Sequence, residues 1–95
     1  MGILLLSSNI NQFNQLYMFM ELNDFVAHFA EQFEETDQSV FTPKTKYHEL
    51  KEWSSLIGLS VIAMVDEEYD VTIKGNDVKN SVTIEDLFDV VKSRA

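Results

Sequence analysis

The chain has 95 residues, no cysteine and a formal charge of −9, from sixteen Asp and Glu against seven Lys and Arg. That length is one domain, and one so small that it buries only about 60–65% of its unfolded surface, leaving little room for a buried multi-residue active site. The charge argues against nucleic acid and anionic membranes, which need clustered Lys and Arg, and the missing thiols exclude disulfides, thiolate metal sites and a Cys nucleophile.

Every Asp, Glu, Lys and Arg lies after residue 20. Residues 1–19 are read as an extension ahead of the domain, with Met20 as the functional start and the domain at 20–95. A rival reading is an extra docking helix, because Phe13, Leu16, Tyr17 and Met20 have helical spacing. The run Ile3-Leu4-Leu5-Leu6 is too short for a signal-peptide core and no Lys or Arg precedes it. No apolar run approaches a membrane span. A monomeric, cytoplasmic protein without stable membrane insertion is expected.

The first strong helix is expected from Asn23 to Phe33. Leu22, Phe25, Val26, Phe29 and Phe33 share one helical face, and Asn23 or Asp24 can cap the start. A long connection follows, Glu35 to Ser54, holding the only proline, Pro43. Loops this long are usually functional or tied down. Val40, Phe41, Tyr47, Leu50 and Trp53 are its expected anchors.

The second helix is expected from Ser55 to Tyr69, with Leu56, Leu59, Ile62, Ala63, Val65 and Tyr69 as its apolar stripe. Asp66, Glu67, Glu68 and Asp70 crowd its C-terminal end, where the helix dipole disfavours anions. Either the acids serve a partner, or nearby Lys74 offsets them. A turn at Lys74-Gly75-Asn76-Asp77 leads to a short helical turn at Asp77–Asn80. The last helix opens at Thr83, with Asp86 at the reciprocal capping-box position and Val82 and Leu87 at the staple positions. Ile84, Leu87, Phe88 and Val91 form its buried face. The expected fold is all-α, three main helices and one short one.

Enzyme signatures are scarce. Gly2, Gly58 and Gly75 are isolated, so no phosphate-binding glycine loop is present, and His28 and His48 lack metal-ligand spacing. The acids at 66–70 lack the alternation of a calcium loop. No catalytic and no metal-binding residues are expected. What stands out is a serine that opens an amphipathic helix directly after a long loop. Positive partial charge at such an N-terminus suits an attached phosphate, although Ser54 or Ser55 could serve only as a cap.

The run from Trp53 to Tyr69 resembles the acyl carrier protein family, in which a Ser-Leu pair opens the second helix. Here the pair is Ser55-Leu56, preceded by Ser54. The similarity continues through Asp66-Glu67-Glu68-Tyr69, Val71-Thr72-Ile73 and Val82-Thr83-Ile84-Glu85-Asp86-Leu87. Tyr47 and Leu50 resemble the loop anchors. It covers about residues 20–93. The resemblance implies an acyl-carrier-like bundle that bears 4′-phosphopantetheine on Ser55 and holds acyl groups as thioesters. It implies no catalysis by the chain itself. It implies as partners a phosphopantetheinyl transferase and the loading and transferring enzymes of fatty-acid, polyketide or a dedicated biosynthetic pathway. Ser54, Leu56, Ile57, Ser60, Asp66 and Glu67 would meet those partners. The family's usual Asp before the modified serine is Ser54 here, and Ile57 and Ser60 replace acids common in the family. An aminoacyl or peptidyl carrier and an unmodified helical interaction module are the alternatives.

Overall fold

A computed structural model describes residues 21–95. The segment read as an extension or an extra docking helix, 1–19, lies outside the described residues. The architecture is all-α, and no helix among the described residues is long and apolar enough to cross a membrane.

Helix α1 is described over 21–30 and is already formed at Glu21. Asn23 and Asp24, expected as caps, therefore lie within it, exposed. Phe25, Val26, Phe29 and Ala30 are buried on the face that the spacing predicts. The helix ends earlier than expected. The amides of Gln32 and Phe33 turn back to the carbonyls of Phe29 and Ala30, at 3.1 and 3.0 Å, three residues behind rather than four. Phe33 is buried all the same, by the tertiary fold rather than by the helix.

The long connection is tied down from both sides. Glu52 reaches back to the chain leaving α1, where its carboxylate accepts the amides of Glu34, Glu35 and Thr36 at 2.9, 3.1 and 2.9 Å and the Thr36 hydroxyl at 2.7 Å. That hydroxyl, and then the three amides, hold the Glu52 carboxyl below its ordinary range. Two 3-10 turns, Gln38–Val40 and Tyr47–Glu49, shape the loop. Phe41 and Tyr47 are buried, while Leu50 and Trp53 pack partly buried against the core. Val40 does not act as an anchor; it sits in a surface 3-10 turn and is 44% exposed.

Helix α2 spans Ser55–Tyr69 with the expected bounds. Its buried face matches the expected stripe only in part. Val65 is buried and Ile62 and Tyr69 pack partly buried against the core, joined by Gly58, Val61 and Met64, whereas Leu56 and Leu59 are 73% and 62% exposed and Ala63 is exposed. The reason is that α2 is apolar around most of its circumference, so periodicity alone cannot fix which side is buried. Asp70 ends α2 in the left-handed region, φ 55°, with its amide donating to the Asp66 carbonyl. Among short polar residues this conformation is tolerable without glycine.

Helix α3, Gly75–Asn80, begins two residues before the expected turn. Asp77 causes this: its carboxylate accepts the Lys74 amide at 2.8 Å and so caps an earlier start. Helix α4, Ile84–Arg94, has the expected capping box. Thr83 Oγ1 accepts the Asp86 amide at 3.1 Å, and Asp86 accepts the Thr83 amide at 3.0 Å. Two further α4 amides, Ile84 and Glu85, donate to the loop carbonyls of Thr45 and Pro43. Two of the orphan donors of this helix start thereby pin the long loop. Val82, expected to staple Leu87, stays 53% exposed, because the α4 entry is held by these loop contacts instead. Ile84, Leu87, Phe88 and Val91 are buried as expected. Arg94 grips Asp77 with two bonds of 2.5 and 2.7 Å, tying the end of α4 to α3.

Candidate functional site

The turn before α2 sets the geometry. The Trp53 amide donates to the Leu50 carbonyl at 3.0 Å, and Ser54 follows in extended conformation as the N-cap. Ser54 Oγ accepts the Ile57 amide at 3.3 Å, and its carbonyl accepts the Gly58 amide at 3.0 Å. Ser54 thus carries the capping role that either serine could have taken. Ser55 is left as the first helical residue, exposed, with no hydrogen-bond partner for its hydroxyl among the described residues. The amides of Ser55 and Leu56 have no acceptor within the helix.

Beside Ser55 lies a pocket of about 390 Å³ between α2, α3 and the loop. Trp53, Gly58, Leu59, Ile62 and Val78 give it an apolar lining, and His48, Ser55 and Lys79 edge it. Gly58 matters here. A Cβ at this position would lie 3.6 Å from the Trp53 ring and 3.9 Å from Val78. A methyl would therefore fit in contact, and anything larger would compete for the pocket. Tyr47 holds both walls: its ring packs on Trp53 at 4.9 Å, and its hydroxyl donates to the Val78 carbonyl. His48 meets the Trp53 ring edge-on at 5.3 Å. Burial pushes the Tyr47 hydroxyl well above its ordinary range, so it stays a donor throughout the physiological span.

The residues expected to meet partners fall into two groups. Ser54 caps α2, and Leu56 and Ser60 sit in its first half, with Ser60 Oγ donating to the Leu56 carbonyl at 3.3 Å. Asp66 and Glu67 are exposed eleven and twelve residues beyond Ser55, about 16–18 Å along the axis. Ile57 does not belong to the exposed face. It packs partly buried against the core, because its position on the helix points toward the buried side.

His28 lies against the other side of α2. Its ring nitrogens stand 3.7 Å from Glu31 and 3.9 Å from Glu68. No group of three or more metal-ligating side chains occurs among the described residues. Sequence reasoning missed Trp53, Gly58, Val78, His48 and Lys79 as one site. The usable signal was the Trp directly before the two serines; the contribution of α3 had none.

No family model, no curated protein and no solved structure matches the chain.

Proposed function

We propose that this chain is a carrier domain of the acyl-carrier type, with Ser55 as the attachment point for 4′-phosphopantetheine. One observation carries the reading. An exposed serine hydroxyl, without a partner among the described residues, opens a fifteen-residue helix after a firmly anchored loop and stands at the edge of an apolar pocket. The order of helices and the resemblance of Ser55-Leu56 and the flanking segments to the family support it.

The residues fit the group. Ser54, not Ser55, is used as the cap, so modification costs no cap bond. The free Ser55 and Leu56 amides and the Lys79 ammonium can offset the charge of a phosphodiester. When bound, the prosthetic group supplies a terminal thiol that holds an acyl chain as a thioester. Gly58, Leu59, Ile62 and Val78 offer apolar surface to such cargo.

The chain itself does not catalyse in this reading. A phosphopantetheinyl transferase removes the Ser55 hydroxyl proton, and the oxygen attacks the pyrophosphate of coenzyme A. The new Oγ–P bond forms as the bond to 3′,5′-ADP breaks. Loading and transferring enzymes then dock on the exposed face of α2. Asp66 and Glu67 act on encounter and orientation more than on affinity.

The test is direct. Incubation with a broad-specificity phosphopantetheinyl transferase and coenzyme A is expected to add the mass of one phosphopantetheine. Ser55→Ala is expected to abolish the gain and Ser54→Ala to retain it. No gain, or a gain that survives Ser55→Ala, removes the reading. An unmodified interaction module, favoured by the exposure of Leu56 and Leu59, then remains.

A further inference from the structure

The charge around Ser55 is opposite in sense to the charge of the whole molecule. Of the described residues that line the pocket, Lys79 and His48 are the only titratable side chains besides hydroxyls, and none is a carboxylate. The first turn of α2 holds no acid. The nearby acids are committed elsewhere. Asp77 has both oxygens on Arg94, and Glu52 is turned to the amides of residues 34–36. Among the described residues, Lys79, and Lys74 just before the pocket residue Gly75, have no carboxylate within 4.0 Å. Glu49 follows His48 but does not line the pocket.

The same face is apolar. Leu56 and Leu59 are 73% and 62% exposed, three residues apart on one side of α2, and Leu59 continues into the pocket wall. A single exposed leucine needs no explanation, but two beside an open apolar pocket form a patch. The acids of α2 begin at Asp66, seven residues beyond Leu59 and about 10 Å along the axis. That is more than the screening length of about 8 Å at physiological ionic strength. A partner close to Leu59 is therefore governed by Lys79 and its neighbours rather than by the net charge.

We infer that the Leu56–Leu59–Lys79 face docks a partner protein that offers an apolar side chain to the pocket, ringed by Asp or Glu. Charge complementarity chooses this partner over one with a basic patch, which would be steered to the far end of α2. The inference deepens the carrier reading by naming the chemistry of its docking partner. Its test uses the unmodified chain, so the two can fail separately.

Two helical peptides serve as probes. Both carry one Leu/Phe stripe; one is flanked by Glu and its twin by Lys. Site-resolved NMR titration at physiological salt reads the signals of Leu56, Leu59, Val78 and Lys79. The Glu-flanked peptide is expected to shift them with an affinity about twofold to fivefold higher than its twin, the range of one or two exposed charge pairs. Lys79→Glu is expected to reverse that order without moving the melting temperature. The inference is overturned if the Lys-flanked peptide shifts these residues at the lower concentration, if Lys79→Glu leaves the order unchanged, or if neither peptide shifts them. Movement of the same signals when the protein alone is concentrated assigns the face to a second copy and overturns it equally.

Discussion

The two ends of α2 differ in almost every respect that matters for recognition. At the first end, Ser54 satisfies the cap, Ser55 is free, Leu56 and Leu59 face outward, and no acid is present. At the other end, Asp66, Glu67 and Glu68 are exposed and Asp70 closes the helix, with no basic residue in the last turn. There Tyr69 turns inward and packs on Phe25 at 5.7 Å. One end offers an exposed hydroxyl on an apolar, slightly basic face; the other offers only negative charge and a buried aromatic contact. Net charge is thus a poor guide to the local surface, because a charge of −9 is spread unevenly over a molecule wider than the screening length.

The sharpest way to break this comparison is to truncate one inward and one outward apolar side chain of the same helix. Met64→Ala is expected to cost about 2–5 kcal/mol, as buried Met truncations do. Leu59→Ala is expected to stay within about 0.5 kcal/mol. Chemical denaturation of both variants checks this. A large loss for Leu59→Ala would place the buried side of α2 on the face that is outward here.

The tyrosines at the two ends give the next contrast, with opposite signs. Tyr47→Phe removes the donor to the Val78 carbonyl and leaves that acceptor without its side-chain partner; a loss of about 1–3 kcal/mol is expected. Tyr69 has a buried hydroxyl without a partner among the described residues, so Tyr69→Phe is expected to gain about 1 kcal/mol. Burial, and after it the nearby Asp24, push the Tyr69 hydroxyl up to about 12. Its folded value is raised, so ionisation costs the fold nothing below about 10, the unfolded value. Stability then falls as pH rises from there through 12. Tyr69→Phe is therefore expected to flatten the alkaline limb of a stability profile. A profile unchanged by the substitution would show the hydroxyl to be solvated.

Acid titration has a smaller expected effect and the opposite sign. Hydrogen bonds from Arg94 to Asp77, from the Thr83 amide to Asp86 and from the Thr36 hydroxyl to Glu52 hold these carboxyls below their ordinary range. Their contribution is present above the unfolded value near 4 and is lost as pH falls through the depressed folded values. The melting temperature is expected to fall below about pH 4, and Asp77→Asn or Asp86→Asn is expected to lower the neutral-pH value while making the acid limb shallower. Equal acid limbs in variant and parent would remove these two side chains from the account.

Salt gives the smallest effect. Self-repulsion among the acids is expected to ease as ionic strength rises, lifting the melting temperature slightly, and divalent cations are expected to act at lower concentration. A flat response to both would show that the acids are well dispersed.

Some of this was legible before any coordinates. The bounds of α2, the Thr83–Asp86 capping box and the buried set Ile84, Leu87, Phe88 and Val91 follow from local signals: a cap residue, a reciprocal acid and a clean helical period. Caps are bonds between residues three apart, so the sequence contains both partners. Ser55 as the exposed first residue of a helix was legible for the same reason.

What the sequence by itself determined is the helical class, the helix starts at 55 and 84 and the serine that opens the longer helix. The tertiary structure alone decided which side of α2 is buried, since an almost uniformly apolar helix carries no phase of its own. It also decided that Trp53, Gly58 and Val78 meet as a pocket beside Ser55, and that Arg94 neutralises Asp77. These contacts join residues far apart in the chain, and only the packing of the long loop and three helices brings them together.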